Sequence, residues 1–307
     1  MRKKLIFVTI LSVIIGNSLL GQLDPSFKQN QFNAMVLNPA QVGADNRSSI
    51  SVNGQKSWLG IEGSPKTFNA MLNLNVTDKL GLGVLVLNDE LGPVKTNRVG
   101  LSSAYHLKIN KKWRASLGIS TFISNTVVDL PSLTTTVLSD PHLQTVLNSG
   151  SQLRVGFGGL IYSEKVYFGI SQPTAGEVEF VYSNMQNFIP SPSFVAYTGT
   201  SIDLNREWQF RPNLTYRFVK SMPTYLDMAA TFTYDKTIDL GLTYQLMSGL
   251  GVLLGVEVNN LFYAGYSYTY PTSRLNTAAS QSHEVSLRFK FGKEKKSFGF
   301  QNPRFFN

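Results

Sequence analysis

In its clearest periodic segment the chain reads Gln281-Ser282-His283-Glu284-Val285-Ser286-Leu287-Arg288-Phe289-Lys290-Phe291. Successive side chains of a β-strand point to opposite faces of the sheet. One face of this segment is therefore apolar, with Val285, Leu287, Phe289 and Phe291, and the other is polar, with Ser282, Glu284, Ser286, Arg288 and Lys290. Because one face suits lipid and the other suits water, the segment is typical of a strand in a transmembrane β-barrel.

The same alternation recurs over most of the chain from Ser48 to Phe291, and helical spacing does not fit it. Counting such segments predicts about fourteen strands, at 48–55, 67–76, 79–88, 97–109, 112–127, 152–162, 165–172, 193–203, 206–219, 224–234, 236–247, 249–258, 261–270 and 281–291. An even number of strands places both chain ends on one side of a closed bacterial barrel. We therefore expect an all-β protein with a single antiparallel transmembrane barrel and periplasmic N- and C-termini.

The connections between these strands alternate in length. Short polar turns are predicted at 77–79, 110–112, 163–165, 203–206, 235–236 and 259–260, and longer connections include 129–151, 173–192 and 271–280. Short periplasmic turns and long outer loops are the habit of outer-membrane barrels. A soluble β-sandwich or lipocalin-like barrel would show the same alternation without a reason for this rhythm.

The segments on either side of the barrel differ from it in composition. Met1-Arg2-Lys3-Lys4 precedes a short apolar run, which predicts a signal peptide over 1–21 and export to the cell outer membrane. We expect a periplasmic or plug-like N-terminal lead over 22–47, the barrel over 48–291 and a basic, aromatic periplasmic tail over 292–307. The net charge of +9 suits anionic lipid headgroups and does not argue for nucleic acid.

Residues that could carry chemistry are few, so we expect no enzyme, no cofactor and no metal site. The chain has 0 cysteines and 3 histidines, and the neighbours His283 and Glu284 point to opposite faces of a strand. Glycine clusters at 81–83, 156–159 and 249–251 precede no helix, which favours close packing in the barrel over phosphate binding. The side chains expected to face the lumen carry a positive surplus, which indicates either an ion-paired interior or else an anion path or a docking site for an acidic segment. The cations are Arg98, Lys108, Arg114, Arg154, Arg211, Arg217, Arg288 and Lys290, and the acids are Glu257 and Glu284.

The lead and several loops carry a recognisable series of motifs. The series begins with Gln22-Leu23-Asp24-Pro25-Ser26-Phe27, Phe32-Asn33 and Leu37-Asn38-Pro39-Ala40. It continues with Trp58, Gly60-Ile61, Gly63-Ser64-Pro65-Lys66-Thr67, Gly81-Leu82-Gly83, Asn88-Asp89, Gly92-Pro93, Gly265-Tyr266-Ser267-Tyr268, Ser282 to Leu287 and Pro303-Arg304-Phe305-Phe306. In order and spacing this series resembles the PorP/SprF family of type IX secretion system membrane proteins from the Bacteroidetes. Thr269 stands where that family often has an acidic residue.

The resemblance implies an outer-membrane barrel needed for export or surface attachment of cargo with C-terminal sorting domains, including adhesins used in gliding motility. It implies as partners the periplasmic type IX ring proteins, a lipoprotein and its companion, besides outer-membrane lipid. The expected partner-binding residues are Asn38, Pro39, Trp58, Gly63, Pro65, Asn88, Asp89, Pro303, Arg304, Phe305 and Phe306. The alternative function is a diffusion channel or porin for small solutes, because about fourteen strands leave a narrow lumen.

Overall fold

The computed structural model describes residues 27, 29, 33–45, 47–133, 144–179, 193–219, 224–246, 248–272 and 281–293. Within these ranges the chain forms one antiparallel sheet of sixteen strands that closes on itself. Fourteen long strands form the barrel wall: β1 Ser48–Lys56, β2 Lys66–Asn75, β3 Leu80–Leu91, β4 Val94–Lys108, β5 Arg114–Asp129, β7 Gln152–Tyr162, β8 Val166–Glu179, β9 Ser193–Thr200, β11 Trp208–Val219, β12 Tyr225–Tyr234, β13 Ile238–Gln245, β14 Gly249–Val258, β15 Phe262–Pro271 and β16 Ser282–Phe291. The predicted all-β barrel of about fourteen strands is confirmed.

Each wall strand pairs with its neighbours in sequence, and β16 returns to pair with β1. Two short strands accompany the wall: β6 Val146–Asn148 pairs with β5, and β10 Ile202–Asp203 pairs with β11. The predicted strand 193–203 is divided between β9 and β10 opposite Pro212, whose ring nitrogen has no hydrogen to donate to the ladder. No helix in the described ranges is long and apolar enough to span a membrane.

The barrel has a short-turn end and a long-loop end. At the short-turn end, Asp235-Lys236 and Asn259-Asn260 have positive φ, as two-residue hairpin turns of the right twist require. Ser48 of β1 pairs with Phe291 of β16 at this same end, so the chain enters and leaves the wall there. At the long-loop end β3 and β4 run on to a tight turn at Gly92-Pro93 instead of ending at 88 and starting at 97.

The two faces of the wall differ as the alternation predicts. Large apolar side chains face outward, and Leu117 and Leu242 are 67% and 65% exposed. Inward side chains of the same strands are mostly serine, threonine, asparagine or charged, and Asn53 and Ser286 are fully buried. An apolar outer band around a polar interior is the arrangement that a lipid bilayer requires of a barrel.

The described part of the lead lies inside the barrel. It contains one helical turn, Ala34–Leu37, followed by a 3-10 turn, Pro39–Gln41. Its hydrogen bonds reach β2, β4, β7, β8, β9 and β16, which face one another across the lumen. Ala40 and Val42 have no exposed surface.

Candidate functional site

Asn38 fixes the centre of the lead to the barrel wall. Its side-chain oxygen accepts a hydrogen bond from the Ala40 amide at 2.8 Å, capping the 3-10 turn, and Pro39 occupies the first position of that turn. Its amide nitrogen donates to the Gly159 carbonyl and the Tyr197 hydroxyl, each at 3.0 Å, and lies 3.2 Å from the Ile170 carbonyl. One fully buried side chain thus holds the turn and joins it to β7, β8 and β9.

Inward-facing glycines of the wall leave space for the lead, because they have no side chain. A Cβ added at Gly158 would overlap the Asn38 side-chain oxygen, and one at Gly118 would overlap the backbone of Ala40. The same test at Gly81, Gly83 and Gly265 places the added atom against Val42, Met35 and Gln29, respectively. The clusters 81–83 and 156–159 therefore pack against the lead at Gly81, Gly83 and Gly158, whereas Gly249 and Gly251 pack against Tyr270 and Thr243 of neighbouring strands.

Two apolar clusters hold the lead against adjacent arcs of the wall. Phe27, Met35, Val36 and Val42 pack on inward side chains of β2 to β5, namely Met71, Leu85, Leu87, Ala104 and Phe122. Leu37, Ala40 and Ala44 pack on β7 to β9, at Leu160, Tyr162, Tyr167, Val195 and Tyr197. At these positions the inward face is also apolar, a local departure from strict alternation that the uninterrupted apolar run 84–87 shows in the sequence.

Polar contacts complete the seat of the lead. His106 of β4 lies between the Val42 carbonyl, 2.8 Å from Nε2, and the Tyr162 hydroxyl, 3.0 Å from Nδ1. Asn69 joins the lead to β1, because it donates to Asn33 at 2.8 Å and accepts from Asn53 at 2.9 Å. His106 thus binds the lead through one ring nitrogen and the wall strand β7 through the other.

The wall formed by β11 to β16 carries a buried charged network. The Arg211 guanidinium lies 2.6 Å from Asp239, which also accepts hydrogen bonds from Thr233 and Tyr263. Lys290 lies 2.7 Å from Glu257. The sequence predicted a surplus of lumen cations against Glu257 and Glu284 alone, and the structure adds Asp239 and Asp45 as buried acids. The ion-paired interpretation therefore accounts for these contacts.

The expected partner-binding residues do not form one cluster. Asn38 and Pro39 are buried in the lumen, and Pro303 to Phe306 lie outside the described residues, as do the predicted signal peptide and most of the tail. Asn88 faces outward, where it hydrogen-bonds Asn97, and Asp89 faces inward, where it accepts a hydrogen bond from Thr67 at 2.6 Å. Only Trp58, Gly63 and Pro65 share one surface element.

That element is the loop 57–65 at the long-loop end. The Trp58 amide donates to the Ser282 hydroxyl at 3.2 Å, and the Leu59 amide donates to the Gln281 carbonyl at 3.0 Å. On its other side, Gly63 accepts a hydrogen bond from the Gly92 amide at 2.8 Å. The loop is therefore held between the start of β16 and the β3–β4 turn.

One ion pair joins two connections at the short-turn end. Lys165 lies 2.8 Å from Asp203, and both side chains are largely exposed. The hydrogen bond from Lys165 lowers the pKa of the Asp203 carboxyl, and the same bond raises the pKa of Lys165. Such exposed pairs contribute little to stability.

No metal site is assembled in the part of the chain that the structure describes. No group of three or more histidine and acidic side chains could hold a metal ion there. His283 is bonded to the Tyr266 hydroxyl at 2.6 Å, and His142 lies outside the described ranges. His106 and His283 are thus each hydrogen-bonded to a tyrosine hydroxyl.

Comparison with known proteins gives one family and a common fold. A family model described as type IX secretion system membrane protein PorP/SprF matches residues 19–289. The CymD monoaromatic hydrocarbon channel is similar in structure, with a TM-score of 0.50 and 14% identity over 92% of this chain and 99% of that one. The Ralstonia pickettii toluene transporter TbuX has a TM-score of 0.49 and 10% identity over 84% and 93% of the two chains. At such identities the likeness shows the barrel fold alone. No curated protein matches the chain.

Proposed function

The chain belongs to the PorP/SprF family of type IX secretion system membrane proteins, and from that premise we propose that it is a non-catalytic outer-membrane component that binds export cargo and periplasmic machinery. The membrane-barrel fold fits an outer-membrane location. The cargo in this proposal is a secreted protein with a C-terminal sorting domain, such as a gliding adhesin.

The observation that carries the proposal is the position of the lead, which is bound to the inner wall of the barrel. A diffusion channel needs a continuous aqueous path, and here the lead reaches across the lumen, from Glu284 of β16 to the Ile170 carbonyl of β8. Asn38 and His106 bind this segment by hydrogen bonds, and the inward glycines leave the space that it occupies. A barrel filled by its own chain favours a scaffold that binds proteins at its two ends over a pore.

The two ends suit different partners. We place the short-turn end in the periplasm, because short turns face that side in outer-membrane barrels. The chain leaves the wall there at Phe291, so the tail 292–307 would reach the periplasmic ring proteins. Its Arg304, Phe305 and Phe306 are residue types that anchor protein interfaces. The loop 57–65, with Trp58, Gly63 and Pro65, would then face outward toward cargo.

A comparative pull-down tests this division. Tagged full-length protein, a variant lacking 294–307, and a variant with Trp58→Ala would each be purified from outer membranes in mild detergent, and co-eluting proteins identified by mass spectrometry. We expect the truncated variant to lose ring proteins and keep cargo, and the Trp58→Ala variant to do the reverse. The truncation leaves β16 intact, so insertion serves as the internal control. A ring association that survives the truncation would remove the tail from the proposal.

The channel remains the competing function, and electrical recording separates the two. In planar bilayers the filled barrel should give no steady conductance. Regular conductance steps from the unmodified protein would favour a diffusion channel, since current requires an aqueous path beside the lead.

A further inference from the structure

Two lysines lie directly opposite each other on the outer face of the barrel. Lys56 ends β1, Lys66 begins β2, and the two are paired in register at the long-loop end. Both are exposed. Opposed residues of an antiparallel pair have Cα atoms about 4.5–5.5 Å apart, and like charges so placed destabilise the pair.

The nearest acid in this row, Glu90 of β3, lies between Lys66 and Lys95, so the row carries more positive than negative charge. Glu90 of β3 is paired in register with Lys66, yet within the described ranges neither lysine takes part in an ion pair. An external anion is therefore the partner that such an arrangement favours.

The position of the two lysines relative to the apolar outer band indicates which kind of anion they bind. The next outward residue of β2 toward the short-turn end is Phe68, which is 47% exposed, and beside it across β1 lies Val285 of β16, 49% exposed. Two residues of a strand span about 6.8 Å. The lysines thus stand one step beyond the apolar band, at the level of lipid headgroups.

Aromatic side chains continue the same row. His283 of β16 is paired with Lys56, and Tyr268 of β15 is paired with His283, with ring centroids 5.5 Å apart. Tyr266 holds the His283 ring through its hydroxyl. Tyrosines are enriched at this level of membrane proteins because they have an apolar ring and a polar tip.

We propose that Lys56 and Lys66, flanked by His283, bind the phosphate of an anionic lipid headgroup in the leaflet at the long-loop end. Basic residues at the membrane surface attract such headgroups, and the ammonium of lysine binds phosphate as a point charge. Since the proposed function places this end outside, the ligand class is a phosphorylated glycolipid of the lipid A type.

The test measures binding of lipid A to the full-length protein in phosphatidylcholine nanodiscs, with lipid A added and bound copies counted by native mass spectrometry. The variant K56Q/K66Q is compared with K111Q/K112Q, which removes two exposed lysines from a turn at the opposite end. We expect K56Q/K66Q to lose on the order of tenfold or more in affinity and K111Q/K112Q to bind as the unmodified protein does. Equal binding by all three, or an equal loss in both variants, would overturn the site.

A second measurement separates lipid binding from a purely structural role. In phosphatidylcholine alone, K56Q/K66Q should be at least as stable to heat as the unmodified protein, because the like-charge repulsion is gone. Lipid A should raise the melting temperature of the unmodified protein and leave that of K56Q/K66Q unchanged. A variant that is less stable in both lipids would contradict the proposal. These readouts need no protein partner, so their failure is distinct from failure of the pull-down.

Discussion

The side-chain nitrogen of Asn38 lies 3.0 Å from the hydroxyl oxygen of Tyr197, although the two residues are 159 positions apart in the chain. The contact joins the 3-10 turn of the lead to β9, a strand in the middle of the chain. Residue chemistry alone predicts a turn at Asn38-Pro39, and this contact binds that turn to one position on the wall.

Replacing Asn38 with alanine should loosen the lead without unfolding the wall. The change removes a cap worth about 1 kcal/mol and leaves buried partners unsatisfied at a cost of about 1–3 kcal/mol. Because the chain has 0 cysteines, an A40C reporter measures release through maleimide labelling of a position with no exposed surface. We expect slow labelling in the parent and faster labelling with N38A. The exposed amide of Asn88 provides the control, since N88A should leave the labelling rate unchanged.

Gly158→Val should displace the lead more completely. The new side chain would occupy the space of the Asn38 amide oxygen, whereas a Cβ at Gly54 meets nothing within 4 Å. With the A40C reporter, G158V should label rapidly and the matched G54V should behave as the parent. Equal protection in both variants would show that the lead does not occupy this recess in the membrane.

Displacing the lead should also change electrical behaviour. If the lead closes the lumen, G158V should show conductance steps that the unmodified protein and G54V lack. Planar-bilayer recordings of the three proteins at equal insertion check this. A silent G158V barrel with a labelled A40C would mean that the inward side chains close the lumen without the lead.

Replacing only one partner of the buried ion pair Arg211–Asp239 should lower the free energy of unfolding strongly. Asp239→Asn leaves the arginine charge uncompensated in the interior, and losses of about 3–5 kcal/mol are usual for such changes. Urea unfolding followed by tryptophan fluorescence would measure the change. The double variant R211M/D239L should recover most of the stability, because it removes both charges together.

The exposed pair Lys165–Asp203 provides the comparison. Asp203→Asn should change the unfolding free energy little, since water screens the interaction. The pKa of Asp203 is lowered in the folded protein, so whatever the pair contributes is present above the unfolded pKa of the carboxyl and is lost as the pH falls. A large stability loss in D203N near neutral pH would contradict this assignment.

Much of the barrel could be predicted because its signal is local. The alternation of polar and apolar residues depends only on neighbours in the chain, so each strand can be predicted from its own segment. The predicted bounds fall within a few residues of most observed strands. The exceptions are also local: β3 and β4 extend to Gly92-Pro93 because the polar residues between them still pair. Pro212 marked the break that divides β9 from β10.

The interior seat of the lead could not be predicted in the same way. Asn38 contacts Gly159 and Tyr197 only in the folded barrel, because those residues belong to strands far away in the sequence. The inward leucines Leu85 and Leu87 are explained only by the lead that packs against them. Strict alternation would have filled those positions with polar residues. An apolar run on both faces of a barrel strand is the signal that could have located the seat.

The glycine recesses and long-range bonds of the lead have a consequence for assembly. Gln29 contacts Glu284 across 255 positions, so this contact can form only when the final strand is present. Contacts between such distant residues form slowly because the intervening chain must first be ordered. Complete burial of the lead therefore coincides with the pairing of β16 with β1 that closes the wall.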